Sequence, residues 1–224
     1  MNSNVFGFST EPSTVVDFTP IVKYDARAGR IFRVDRLDTG NGFENNPVDI
    51  TANFKAIFDF ENVEVGWIDF PVGSAPSFAL VPMGKQLPDR PSAKHKNGIR
   101  MLLKLTKACG GDKPVREIAG TSKAFLSGVE EVYGEYAKEK GKYPGQLPVI
   151  VLLSTTPVTS GSGERKITNY HPKFKIDGWA PRPADLIHIR TDEAAKPAAA
   201  TAPATGSTAV PPPGTAAADD NDFG

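Results

Sequence analysis

The chain has 224 residues, with 26 basic and 26 acidic side chains, 39% hydrophobic residues and one cysteine. That length suffices for one sizeable domain, and the balanced charge excludes a globally basic nucleic-acid binder, so a nucleic-acid surface has to be local. The single cysteine, Cys109, excludes an internal disulfide and every zinc site that needs several cysteines.

The start of the chain bears on the compartment. Residues 1–12 are polar and lack the basic region and apolar run of a signal peptide. No stretch approaches the ~20 apolar residues that span a bilayer. We therefore expect a soluble protein without a membrane partner, in the cytoplasm, or in the host cytoplasm if a phage encodes it.

The first part of the chain predicts strands separated by a polar loop. Gly29–Leu37 alternates apolar and charged residues, as strands do. Residues 38–50 are rich in Gly, Asn, Asp and Pro, which predicts a loop. Asn53–Phe60 alternates phenylalanine with other residues, and Val63–Phe70 is predicted to be its partner or continuation.

The middle of the chain predicts a basic loop, a strand and a helix. Val81–Gly98 is a proline-stiffened loop that carries several cations, and Ile99–Thr106 alternates cleanly as a strand. Ser127–Lys140 has apolar residues at helical spacing. Ser127 and Glu130 have the spacing of a capping box, which predicts that the helix begins there.

Two further strands follow the helix. Val149–Leu153 is an apolar run of strand length, and Ile167–Trp179 alternates after the flexible loop at Ser160–Gly163. This order predicts a mainly β fold, a five-stranded OB-fold-like barrel with one helix before the fourth strand. A disordered C-terminal tail completes the prediction.

Patterns of catalytic residues are scarce in this sequence. The three histidines, His95, His171 and His188, belong to no metal-binding pattern, and no nucleophile elbow or phosphate loop is present. We therefore expect a protein that is not an enzyme and that needs no cofactor or metal.

Cations interleaved with aromatic residues are more informative. Cations neutralise phosphates and release counterions, and exposed rings stack bases of any sequence. Phe54, Phe58 and Phe174 are assigned to the core. The predicted DNA-binding residues are Tyr24, Arg27, Arg30, Arg33, Arg36, Trp67, Lys85, Arg90, Lys94, Lys96, Arg100, Lys104, Lys173 and Lys175.

The C-terminal segment has a composition of its own. In residues 194–218, 20 of 25 are Ala, Pro or Thr, too little bulky apolar surface to offset the entropy of ordering. We therefore predict a domain at 1–193, a disordered linker at 194–218 and an acidic tip at 219–224. The tip either presents a peptide to a partner and competes with DNA for the basic surface, or is a solubilising terminus. Its predicted partner-binding residues are Asp219, Asp220, Asp222 and Phe223.

Two phrases and the tail architecture carry a resemblance. Pro20–Arg30 (PIVKYDARAGR) and Asn169–Trp179 (NYHPKFKIDGW), with the linker and the acidic tip, resemble phage-encoded OB-fold single-stranded DNA-binding proteins with an acidic C-terminal tail. The resemblance implies protection of single strands in DNA replication, recombination and repair. It also implies that the tip recruits replication or recombination proteins. In the family the aromatic residue is usually the last one, whereas Gly224 follows Phe223 here.

Other functions remain open from the sequence. The main alternative is a phage structural or assembly protein with a disordered tail, and a third is a small DNA-modifying enzyme. The sequence also leaves monomer and homodimer open.

Overall fold

The computed structural model describes residues 19–40, 42–162 and 166–187, and these residues form a mainly β fold, as predicted. The linker and tip predicted for 194–224 lie outside the described residues. The strands are β1 (Ile21–Asp25), β2 (Arg30–Asp38), β3 (Phe43–Asp49), β4 (Lys55–Phe58), β5 (Glu64–Asp69), β6 (Ser77–Pro82), β7 (Lys96–Leu105), β8 (Val115–Gly120), β9 (Gln146–Ser160) and β10 (Ile167–Pro181). The helices are α1 (Lys107–Gly110) and α2 (Lys123–Glu139), with short 3-10 turns at Thr51–Asn53 and Lys140–Lys142.

The described residues form ten strands in one sheet, where the sequence pattern predicts five. The loop predicted for residues 38–50 is wrong, because β3 lies within it and pairs with β2 at seven positions. β3 has almost no buried side chains, so its pairing with β2 rather than an apolar face defines it as a strand. It is an edge strand, where Pro47 is tolerated.

The sheet runs in the order β10-β9-β4-β7-β8-β1-β2-β3, and β5 pairs with β7 and with β6. The pair β1–β8 is parallel, and the other pairs are antiparallel. Two hydrogen bonds also join the β1 region to β10. The Tyr170 amide donates to the Ala26 carbonyl at 2.6 Å, and the Tyr24 hydroxyl donates to the Tyr170 carbonyl at 2.6 Å.

The core lies between α2 and one face of the sheet. Phe54, Phe58 and Phe174 are buried, which confirms their assignment to the core. The ring of Phe58 lies 6.1 Å from Phe54, 5.5 Å from Phe60 and 5.9 Å from Phe174, so aromatic edge contacts fill the centre. Neither α1 nor α2 is long and apolar enough to cross a membrane, and these are the α-helices of the described residues.

Helix α2 begins four residues before the predicted start. Ser122 is the N-cap, and its side chain accepts a hydrogen bond from the Phe125 amide at 3.2 Å, so the capping box predicted at Ser127 is wrong. Extending the helix to Lys123 buries Phe125 against the sheet. At Gly128, a Cβ atom would meet the Pro172 carbonyl oxygen at 2.5 Å, so glycine permits close packing of α2 on β10.

Candidate nucleic-acid interface

A cleft of about 1180 Å³ opens between three parts of the fold. One wall is formed by Trp67 of β5 and the start of β7, the second by the β9–β10 hairpin, and the third by the first turns of α2. The residues that line it are Trp67, Arg90, Lys96, Asn97, Thr121, Ser122, Lys123, Ala124, Leu126, Ser127, Glu131, Thr156, Val158, Ser160, Asn169, His171 and Lys173.

Strand alternation determines the hairpin wall. Residues directly opposite each other in an antiparallel pair project to the same face. The pairs Val158–Asn169 and Thr156–His171 lie two positions apart, so these four side chains point to the cleft with Lys173. The opposite face of β10 carries the buried residues Pro172 and Phe174.

Trp67 and Arg90 organise the wall across from the hairpin. The indole N–H of Trp67 donates to the Pro88 carbonyl at 2.8 Å, and the Arg90 guanidinium lies 5.3 Å from the centre of the ring. Arg90 also donates to the carbonyls of His95 at 2.8 Å and Ala93 at 2.7 Å. These bonds tie the loop before β7 to the tryptophan, which is half-buried at the cleft.

The start of α2 adds polar donors to the cleft. Thr121, Ser122 and Lys123 line it at the N-terminus of a 17-residue helix. The first amides of a helix lack intrahelical partners and carry a partial positive charge, which favours anions nearby. Lys123 adds a full positive charge at the same place.

The charge of the cleft is mainly positive. Four cations line it, namely Arg90, Lys96, Lys123 and Lys173, and among the described lining residues Glu131 is the only acid. Glu131 lies 3.3 Å from the imidazole of His171. Within the described part of the chain, Lys96, Lys123 and Lys173 form no ion pair, and all three are exposed. Their charges are therefore available to an anionic ligand.

The structure brings four of the predicted DNA-binding residues to this cleft, namely Trp67, Arg90, Lys96 and Lys173. Two others, Tyr24 and Arg27, line a neighbouring groove.

Four more predicted residues are held by carboxylates outside the cleft, and their contacts are part of the fold. Arg30 contacts Asp49 at 2.7 Å, Arg33 contacts Asp35 at 2.8 Å, Arg100 contacts Glu64 at 2.7 Å and Lys104 contacts Asp185 at 2.7 Å.

The remaining predicted residues are exposed and do not line the cleft. The Arg36 guanidinium lies 4.0 Å from the centre of the Phe43 ring on the β2–β3 hairpin. Lys85, Lys94 and Lys175 point to solvent elsewhere. Asp219, Asp220, Asp222 and Phe223 lie outside the described residues.

Sequence reasoning missed Lys123, Asn97 and Asn169 as site residues. Lys123 directly follows Ser122, the N-cap of α2. Serine is a common N-cap residue, so Ser122 is the sequence signal that could have placed Lys123 at the start of the helix. The predicted helix start at residue 127 conceals it. The strand pattern puts His171 on the same face as Lys173, as observed, but its neighbour Glu131 comes from α2 and is not visible in that pattern.

The neighbouring groove has a volume of about 670 Å³ and shares Thr121, Ser122 and Asn169 with the cleft. Its lining is mainly apolar, and burial raises the pKa of Tyr24 to about 12, so this hydroxyl stays neutral at physiological pH. The acids in its lining are Asp25 and Glu117.

The two cavities together offer cations, helix amides and aromatic edges to an extended anionic ligand. The described residues contain no group of His, Cys, Asp and Glu side chains that could hold a metal ion. Comparison with family models, curated proteins and solved structures gives no match for the chain.

Proposed function

We propose that this protein binds single-stranded DNA without sequence specificity and protects it during phage DNA replication, recombination and repair in the host cytoplasm. The observation that carries the proposal is the cleft lined by Lys96, Lys123 and Lys173, with Trp67 on its wall. Unpaired ammonium groups suit a chain of phosphates, and a half-exposed indole suits a stacked base.

Several features of the cleft favour a single strand over a duplex. Apolar and aromatic side chains, Trp67, Leu126 and Val158, lie among the cations. A duplex keeps its base faces stacked inside, whereas a single strand presents them to such side chains. Helix α2 also carries four glutamates, two of them at Glu130 and Glu131, and an acidic helix is unsuited to the major groove.

The strand pairing supports an OB-fold-like barrel as part of the proposal. Strands β4, β7, β8, β9 and β10 would be its five strands, with α2 before the fourth one. The antiparallel pairs β4–β7, β7–β8, β4–β9 and β9–β10 are four of the five pairings of such a barrel, and among the described residues β8 pairs with β1 where the barrel would close on β10. The cleft then lies between the first and last hairpins of the barrel, where OB-folds bind oligonucleotides.

In this proposal the acidic tip has two roles. Asp219, Asp220 and Asp222 compete with phosphates for the cationic cleft, and Phe223 anchors a replication or recombination protein. The support is the charge complementarity between the tip and a cleft with four cations and one acid.

A binding assay with matched variants tests the proposal. Fluorescence anisotropy with labelled oligo-dT and with a duplex of equal length is measured for the wild type and for a Lys96→Ala, Lys123→Ala, Lys173→Ala triple variant. The control is a Lys85→Ala, Lys138→Ala, Lys175→Ala triple variant, which removes three exposed lysines that do not line the cleft.

We expect the wild type to bind oligo-dT more tightly than duplex. The cleft variant should lose more than tenfold in affinity, with a salt slope lower by about 2, and the control should stay within about twofold. Equal affinity for duplex, or no binding at low salt, would overturn the proposal and favour a phage structural or assembly role.

A further inference from the structure

The groove beside the cleft has features that phosphate binding does not use. It lies between β1, the turn that joins β5 to β6, and the end of β8. Its volume of about 670 Å³ is within the range of small-ligand sites. Because it shares Thr121, Ser122 and Asn169 with the cationic cleft, a nucleotide could place its phosphate in the cleft and its base in the groove.

The walls of the groove are aromatic. The rings of Tyr24 and Phe125 stack at 5.7 Å, and the Tyr24 hydroxyl is held by the Tyr170 carbonyl. Phe70 and Phe78 meet edge to face at 6.3 Å on the other side, and Phe70 is 47% exposed. Planar apolar walls with one exposed ring suit a flat aromatic ligand.

Glu117 places a partly buried carboxyl group in the mainly apolar lining of the groove. It lies on β8 opposite Leu102 and beside Ile21, and burial raises the pKa of its carboxyl group. The nearby Arg100 is already held by Glu64 at 2.7 Å. Within the described part of the chain, the Glu117 carboxylate accepts no hydrogen bond.

The other charged groups around the groove are differently placed. Asp25 accepts hydrogen bonds from the Arg27 amide at 2.9 Å and from the Ala28 amide at 3.2 Å, so its carboxylate is part of the β1–β2 turn. Lys23 and Arg27 are exposed at the rim. Of the two acids in the groove, Glu117 is therefore the one whose carboxylate has unused hydrogen-bonding capacity.

We propose that this groove is a nucleobase subsite that prefers guanine, with the Glu117 carboxylate accepting from N1–H and the N2 amino group. This inference rests on the proposed single-strand binding and adds one selective position to it. Guanine presents two adjacent donors that match two carboxylate oxygens. Thymine offers one N–H flanked by two carbonyls. The oxygens of these carbonyls are acceptors, so a carboxylate repels them.

The test uses a short oligo-dT as background and single substitutions at its centre. One central thymidine is replaced by deoxyguanosine, deoxycytidine or deoxyadenosine, and the four oligonucleotides are compared by anisotropy. The proteins are the wild type, Glu117→Gln and the control Glu130→Gln, which removes an exposed glutamate of α2 that lines neither cavity. Thermal melting of each variant confirms that it is folded.

The wild type and Glu130→Gln should bind the guanine oligonucleotide about tenfold more tightly than oligo-dT. Glu117→Gln should bind oligo-dT and the guanine oligonucleotide alike. Equal affinity of the wild type for all four would overturn the base subsite alone. So would a Glu117→Gln variant that tightens all four equally, because that result reports charge repulsion only. No binding of any oligonucleotide by the wild type would overturn the proposed function together with the subsite.

Discussion

The guanidinium of Arg90 covers the indole ring of Trp67 at 5.3 Å while the indole N–H is held by the Pro88 carbonyl. The two residues are 23 positions apart, and their contact joins the loop before β7 to β5. The ring is thereby fixed at the cleft with one side backed by a cation. A ring held in this way can stack a base without losing further rotamer freedom on binding.

Substitution of Trp67 should weaken binding of single-stranded DNA. Trp67→Ala removes the proposed stacking surface, and we expect a loss of about 1–3 kcal/mol in binding free energy for oligo-dT. Trp67→Phe keeps an aromatic ring and should retain most of the affinity. The matched control is Phe43→Ala, because Phe43 is exposed and also lies under an arginine, Arg36, but away from the cleft. Equal losses for Trp67→Ala and Phe43→Ala would contradict stacking at this cleft.

Two neighbouring lysines of β10 should differ in their contribution to salt dependence. Lys173 lines the cleft and Lys175 does not, although both are exposed on the same strand. Lys173→Ala should lower the slope of log affinity against log salt by about 0.7, as expected for one phosphate contact on a single strand. Lys175→Ala should leave the slope unchanged. Titrations of oligo-dT at several salt concentrations measure both, and identical slopes for the two variants would place the DNA elsewhere.

Glu117 should lower the stability of the fold at neutral pH. Burial raises the pKa of this carboxyl group in the folded state, so the native protein binds more protons than the unfolded chain between the ordinary pKa of 4.5 and the raised value. Stability therefore falls as the pH rises through that window. Glu117→Gln carries no such charge, and its melting temperature should exceed that of the wild type at pH 7. The gain should disappear below about pH 4.

Melting curves of the wild type, Glu117→Gln and the exposed control Glu130→Gln over a pH series measure this effect. A gain that is the same at every pH would show that packing, and not ionisation, distinguishes Glu117→Gln from the wild type. A destabilised Glu117→Gln at pH 7 would show that the attraction of Arg100 for this carboxylate outweighs its burial, contrary to the direction of the pKa shift.

Local patterns predict part of the site, and long-range contacts decide the rest. The alternation of residues along β10 is enough to place His171 and Lys173 on one face of the strand. The same reasoning selects Arg100 and Lys104 on β7, but their carboxylate partners are 36 and 81 residues away. A cation that looks free in its own strand is neutralised by a partner that only the folded chain brings near.

The strands that the sequence pattern does not predict have the same explanation. β8 is parallel to β1 and antiparallel to β7, so it is a strand because of its pairing with neighbours on both sides. This short strand also contains the buried Arg116. That guanidinium donates to the Val34 carbonyl at 2.9 Å and to Asp35 at 2.7 Å. A buried cation paired across strands interrupts the apolar pattern from which strands are recognised.

Removing residues 194–224 should strengthen DNA binding. Asp219, Asp220 and Asp222 carry negative charge and follow the 25 residues that are predicted to be a disordered linker, and short flexible linkers give roughly millimolar effective concentrations. In the proposed function the tip competes with phosphates for the cleft, and the gain on truncation should shrink at high salt because both contacts are screened. Phe223→Ala should leave DNA affinity unchanged and weaken partner capture, because its ring is the proposed apolar anchor.

The cleft variant makes this last test specific. If the tip occupies the cationic cleft, truncation should no longer improve binding once Lys96, Lys123 and Lys173 are replaced by alanine, since tip and DNA lose the same cations. Oligo-dT titrations of the full chain and the truncated chain, each with and without the three substitutions, measure this coupling. An equal gain in both backgrounds would place the competing contact outside the cleft. No gain in either background, together with unchanged pull-downs for Phe223→Ala from phage-infected extract, would make the tail a solubilising terminus.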